Sequence, residues 1–386
     1  MSKAARTAVA FLIVLTGLSL IADHPLIARS GGKKVQPKKW FTYEQVFGAG
    51  LTPAAPRAGE TQPAEQIMAP PLVITGWADD EHYLETREDP ADKQRKIFSV
   101  SVADGSATLY RDPNEIQKAI PKDFRTVATT ADGKGVLLSG NNDLHFLDVA
   151  TKKVRQLTAT PAQEQYPRLS PNGRFVVYSR DHNLYLYDLQ NSVERQMTAD
   201  GSDVILNGYS SWVYMEEILG RGEGYGAYWW SPDSAKLAFL RFDDSPVPVF
   251  PIYHAGREPY TDPAWQHGTL EIQRYPKAGD PNPYVQMGVV NVADGKITWM
   301  DFDPKADHYI AWPYWTPDGK SLLVQWLNRQ QDTLRFFVCD PATGKKTQIF
   351  EERQPTWIDF FKDITFLEKG QSMLIRSDRD GWEQDG

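Results

Sequence analysis

The residues best placed to do chemistry lie in one run, SWVYMEEILGRGEGYGAYWWSPDSAKLAFLRFDD, which begins at Ser211. Glu216 and Glu217 stand side by side behind Trp212 and Tyr214. Adjacent like charges repel, so such a pair marks either a solvated helix face or a place where a cation is held. Taken alone, the solvated face is the commoner case, because charged pairs usually face water. The other reactive side chains offer little. His24, His82, His145, His182, His254, His267 and His308 include no H-x-x-x-H pair suited to a zinc helix, and each reads as a surface or turn residue. Cys339 is the only cysteine, which excludes an intrachain disulfide and a polythiolate metal site. There is no phosphate loop and no dinucleotide fingerprint, so no cofactor and no metal are expected. A hydrolase nucleophile would need a Ser on a strand-to-helix elbow, G-x-S-x-G. The nearest match, GLSLI at 17–21, lacks the second glycine.

The elements that must position the Glu pair are strands. The chain has 386 residues, a formal net charge of −8, and 12 Trp, 17 Tyr and 17 Phe. That aromatic content favours β structure, and without a basic excess nucleic acid is excluded as a partner. A pattern recurs at 125–158, 166–198, 227–244, 312–350 and 361–382. Each copy has an apolar or aromatic strand, a turn such as SPNG, SPDS or TPDG, and a second apolar strand. In the fuller copies a third strand ends near Asp148, Asp188 or Asp340, which opens a further turn. Proline fixes φ, Asn or Asp bonds the nearby backbone, and Gly accepts φ > 0, so these are turns with a mechanism. Four strands in roughly 40 residues make a propeller blade. A β-sandwich would not repeat the same turn at the same place in each unit. The reading is an all-β propeller of about six blade-like units, the first near 71–110 and the last incomplete. Helical periodicity is almost absent after residue 50.

Two insertions break the repeat, at 200–226 and 245–285. WVYMEEIL in the first is expected as a short helix projecting from a blade. At the N-terminus, Lys3 and Arg6 precede an apolar run from Ala8 to Ala22. This reads as a signal peptide within 1–28, hence a secreted or periplasmic protein, with an uncleaved membrane anchor as the alternative. Residues 29–70 read as a polar, Pro-rich lead-in with a short helix in KKWFTYEQVF, and 71–386 as the propeller.

Three runs together, WVYMEEI, YWWSPDSAKLAFLRFDDSPVP and RYPKAGDPNP, resemble the N-terminal propeller of the dipeptidyl peptidase IV family, in the prolyl oligopeptidase group of serine peptidases. The looser blade pattern extends the resemblance over about 70–382. It implies an eight-bladed propeller, followed by an α/β-hydrolase domain that this chain lacks, so the chain is expected to be truncated and inactive alone. It also implies that Glu216 and Glu217 bind the free N-terminal ammonium of a peptide substrate, so that the enzyme removes dipeptides, typically after Pro or Ala. An ammonium has three donors, which two carboxylates can accept at once. Trp212 and Tyr214 would support the pair. The family's substrate-contacting Arg has no counterpart in GVLLSGNNDLHFLD at 135–148, and neither Arg180 nor Arg221 matches it. Family members often dimerise, so the intact enzyme is expected as a monomer or a homodimer. The alternatives are a non-catalytic propeller that binds peptides or proteins, and an unrelated propeller whose Glu pair is incidental.

Overall fold

The computed structural model describes residues 74–255, 268–382 and 384–385. The expected leader, anchor and lead-in of residues 1–70 lie outside these, as do His24 and His267. The described chain divides between Glu115 and Ile116 into two compact units.

In the first unit, β1 (Ile74–Trp77), β2 (His82–Glu88), β3 (Arg95–Ser101) and β4 (Ala107–Arg111) form an antiparallel meander. The VADG turn at 102–105 joins β3 to β4, and Gly105 takes φ 71°. A short helix, α1 (Pro113–Ala119), follows. Its start is well specified. Asp112 caps it by accepting the Asn114 N–H at 2.9 Å, and Pro113 takes the first helical position.

The second unit repeats the four-stranded meander. One sheet is β5 (Arg125–Thr129), β6 (Gly135–Gly140), β7 (Asp143–Asp148) and β8 (Lys153–Gln156). The next is β9 (Gln165–Leu169), β10 (Phe175–Arg180), β11 (Asn183–Asp188) and β12 (Val193–Gln196). The third is interrupted. Here β13 (Ile205–Asn207) and β14 (Tyr228–Trp230) both pair with β15 (Lys236–Asp243), while β16 (Val249–His254) and β17 (Thr269–Arg274) form a separate hairpin. The chain then returns to the sheet as β18 (Tyr284–Asn291) and β19 (Ile297–Trp299). The fourth sheet is β20 (His308–Trp315), β21 (Leu322–Asn328), β22 (Thr333–Cys339) and β23 (Lys346–Arg353). Two short pairs end the described chain: β24 (Thr365–Leu367) with β25 (Ser372–Leu374), and β26 (Arg376–Ser377) with β27 (Gln384–Asp385). The fold is all-β, built from propeller blades.

The blades of the second unit stack through shared cores. Leu137 and Leu144 of one sheet cluster with Val176, Tyr178 and Tyr187 of the next. Phe175 and Leu184 cluster with Tyr228, Leu237 and Phe239. Phe242 and Met287 cluster with Ile310, Val324 and Phe336. Face-to-face burial of inward strand residues is the main stabilising term in such a stack.

The recurrent turn works through its first and third residues. Thr130, Ser170, Ser231 and Thr316 each accept, through the side-chain oxygen, the N–H five residues on, at 2.9–3.0 Å. Asp132, Asn172, Asp233 and Asp318 each accept the N–H two residues on, at 3.0–3.1 Å. The fourth residue has positive φ in every copy, although in one it is Ser234 rather than Gly. The outer turns follow the same logic, since Asp148, Asp188 and Asp340 accept backbone N–H groups two or three residues ahead. As expected, Tyr166–Asp188 and Trp312–Asp340 occupy equivalent strands. Tyr166 (φ 53°) and Trp312 (φ 48°) both precede proline, and each sits at a register shift against the following strand.

Candidate functional site

The Glu pair lies on a single turn of π-helix, Tyr214–Ile218. The turn is wide because Leu219 N–H reaches back five residues to Tyr214 O, at 2.7 Å. At its start, Tyr214 and Met215 N–H both donate to Ser211 O, at 3.1 and 3.0 Å. Tyr214, Ile218 and Leu219 point into the core. The Tyr214 ring packs edge-on to Phe242 at 4.7 Å, and its hydroxyl accepts the Ile310 N–H at 3.1 Å. From β20, the Trp312 indole N–H donates to Ile218 O at 3.0 Å. Trp212 is half-buried against Tyr275, with ring centres 4.3 Å apart, so the first insertion leans on the RYPKAGDPNP segment of the second. Tyr214 and Trp312 therefore hold the turn onto the blade, while Trp212 joins it to the second insertion.

The two carboxylates have different surroundings. Glu216 is half-buried and paired with the Arg221 guanidinium. Glu217 is exposed and borders a cavity of about 560 Å³ lined also by the run Trp357–Asp363 and by Arg376, Ser377 and Asp378. The run is fixed from behind. The fully buried Gln325 donates to Phe361 O at 2.7 Å and accepts the Phe361 N–H at 2.9 Å. The Tyr314 hydroxyl donates to Lys362 O at 2.7 Å, and burial pushes its pKa up to about 12. Lys362 Nζ sits over the Trp312 ring, 5.5 Å from its centre, and Arg376 lies 3.9 Å from Asp363. The cavity wall thus mixes aromatic surface with charges of both signs. Sequence reasoning did not single out this wall. Its one signal was the aromatic run WIDFF, which lacks strand alternation.

Other candidates have structural roles. Arg180 is buried and paired with Glu164 at 3.1 Å and Glu194 at 2.8 Å, so it is not offered to a ligand. Two histidines correct the surface-or-turn expectation. His145 is buried on β7, edge-on to Phe124 at 4.5 Å. His308 is buried on β20, accepts the Trp326 indole N–H at 2.9 Å, and has its pKa lowered by burial. His82 and His254 pair with Asp79 and Glu271. Among the described residues no three His, Cys, Asp or Glu side chains are grouped to hold a metal, and no helix is long and apolar enough to cross a membrane.

The sequence profile of the dipeptidyl peptidase IV N-terminal region matches residues 127–384, which include the π-helical turn and the cavity wall. The chain belongs to that family. Among curated relatives of the dipeptidyl peptidase IV propeller, it is 32% identical over 293 residues to a probable dipeptidyl-aminopeptidase B of Pyrenophora teres f. teres, covering 72% of this chain and 32% of that protein. It is 32% identical over 250 residues to a probable dipeptidyl peptidase 4 of Aspergillus clavatus, covering 62% of this chain and 31% of that one. The chain thus spans about a third of the length of the curated relatives it matches. Among solved structures, dipeptidyl peptidase 4 of Porphyromonas gingivalis superposes with a TM-score of 0.65 at 26% identity, over 81% of this chain and 44% of that one.

Proposed function

We propose that this chain is the substrate-recognition propeller of a dipeptidyl-peptidase-IV-like serine exopeptidase, and that Glu216 and Glu217 receive the terminal ammonium of the peptide. The observation that carries the reading is the position of Glu217. It stands on a turn tied to β20 at both ends, through the Tyr214 hydroxyl and Ile218 O, and opens onto a cavity large enough for a peptide end. Trp357 and Phe361 give that end apolar surface, while Glu217 gives its charge a partner. Residues 1–386 hold no Ser elbow, so bond cleavage is assigned to a hydrolase domain joined to the propeller in the whole enzyme. The propeller's part is positioning: an ammonium fixed at the Glu pair sets the scissile bond a constant distance from the N-terminus. The leader reading makes the enzyme secreted or periplasmic, and N-terminal sequencing of the exported protein checks this.

The test is calorimetric titration of the purified chain with Gly-Pro-Gly and with its N-acetylated form. The free peptide is expected to bind at least about tenfold tighter, the scale of one charge-assisted contact. Equal affinities would sink the reading.

A further inference from the structure

The Glu pair is built asymmetrically. The Glu216 side chain is 15% exposed and is held by Arg221, whose own side chain is 78% exposed. Glu217 faces the cavity instead. Resting on the reading of the pair as an ammonium site, we propose that Arg221 is a specificity-determining residue, an internal counter-cation that competes with the substrate's ammonium for Glu216.

Three observations support this. First, the guanidinium already donates to Glu216 Oε1, so an ammonium shared by both carboxylates must displace it or accept its repulsion at close range. Second, Arg221 opens a three-residue 3-10 turn, Arg221–Glu223, bounded by Gly220 (φ 76°) and Gly224 (φ 56°). A Cβ added at Gly220 or Gly222 would meet nothing within 4 Å, so the turn is open on the Arg221 side, while Gly224 at its far end lies against the Tyr166 ring. Third, the cations on the cavity wall have other engagements, since Lys362 lies over Trp312 and Arg376 faces Asp363. An ion pair with so exposed a cation is weak. A peptide that also fills the cavity can displace it. A small amine without those contacts cannot do so as readily, and the latch thereby favours peptide termini over free amines.

The experiment titrates the 386-residue chain and its Arg221→Ala, Arg221→Lys, Glu216→Gln and Glu216→Gln/Arg221→Ala variants with Gly-Pro-Gly, acetyl-Gly-Pro-Gly and methylammonium. Arg221→Ala is expected to tighten the free peptide by about threefold to tenfold, the range for loss of one partly screened charge. It should leave the acetylated peptide unchanged and narrow the preference over methylammonium. Arg221→Lys should stay near the parent, and the gain should vanish in the Glu216→Gln background. If the parent prefers the free peptide but Arg221→Ala binds it equally or more weakly, the latch is wrong and the ammonium site stands. If the parent shows no preference for the free peptide, the ammonium site fails and the latch with it. Arg221 is exposed and flanked by glycines, so thermal midpoints should agree across its variants.

Discussion

Asp244 follows β15 and is almost fully buried, with Oδ1 lacking a hydrogen-bond partner among the described residues. Burial pushes its carboxyl from 3.8 up to about 7, and nearby Ser211 and Arg274 offset this only in part. The folded state therefore holds the proton more tightly than the unfolded chain. Stability is unaffected well below pH 4, falls as the pH rises towards 7, and levels off above the folded pKa. Three pH units at about 1.4 kcal/mol each make the full penalty about 4 kcal/mol. Asparagine cannot ionise, so Asp244→Asn removes it. In paired urea-unfolding curves, the variant should gain about 3 kcal/mol on the parent between pH 5 and pH 8. Comparing the two proteins at each pH cancels the carboxylates whose pKa values are lowered, such as Asp188, held at about 2 by Arg174. A difference that does not change with pH would refute the assignment of the proton to Asp244.

Arg180→Ala should destabilise the chain by about 3–5 kcal/mol in the same assay, because it strands the buried Glu164 carboxylate; a loss below about 1 kcal/mol would place that pair in water. Tyr214→Phe leaves the Ile310 N–H without its acceptor and should cost about 1–3 kcal/mol. The same change should weaken free-peptide binding more than acetyl-peptide binding, as titration would show. The purified chain should not hydrolyse a Gly-Pro chromogenic substrate, and turnover abolished by a serine-directed inhibitor would reveal a nucleophile outside the expected elbow.

The blades were legible because their turns carry local chemistry. SPNG, SPDS and TPDG specify a proline, a side-chain acceptor and a positive φ within four residues, and apolar strands buried over most of their length follow. Ser234 shows the limit of that code. It takes φ 61° where glycine would be cheaper, and its hydroxyl accepts the Asn172 N–H of a neighbouring turn at 3.0 Å, a contact between units that sequence periodicity does not carry. The third sheet was harder to read. β13 precedes the Glu turn, β14 follows it, and both pair with β15, so strand order depends on long-range pairing. The same holds for the site. WVYMEEI named the two acids, but only tertiary structure shows Glu216 meeting Arg221 and Glu217 meeting a wall more than 130 residues downstream. Gln325, which fixes that wall, was invisible for the same reason: a buried amide in a strand has no sequence signature until its partners are known.

The central claim is that Glu216 and Glu217 together receive a peptide's terminal ammonium. Its most direct test is a crystal structure of the chain soaked with Gly-Pro-Gly. The account predicts the ammonium nitrogen within about 3 Å of a carboxylate oxygen of each glutamate, with the peptide running beside Trp357 and Phe361. A peptide bound with its amino end away from both carboxylates, and the Glu216–Arg221 pair intact, would contradict it.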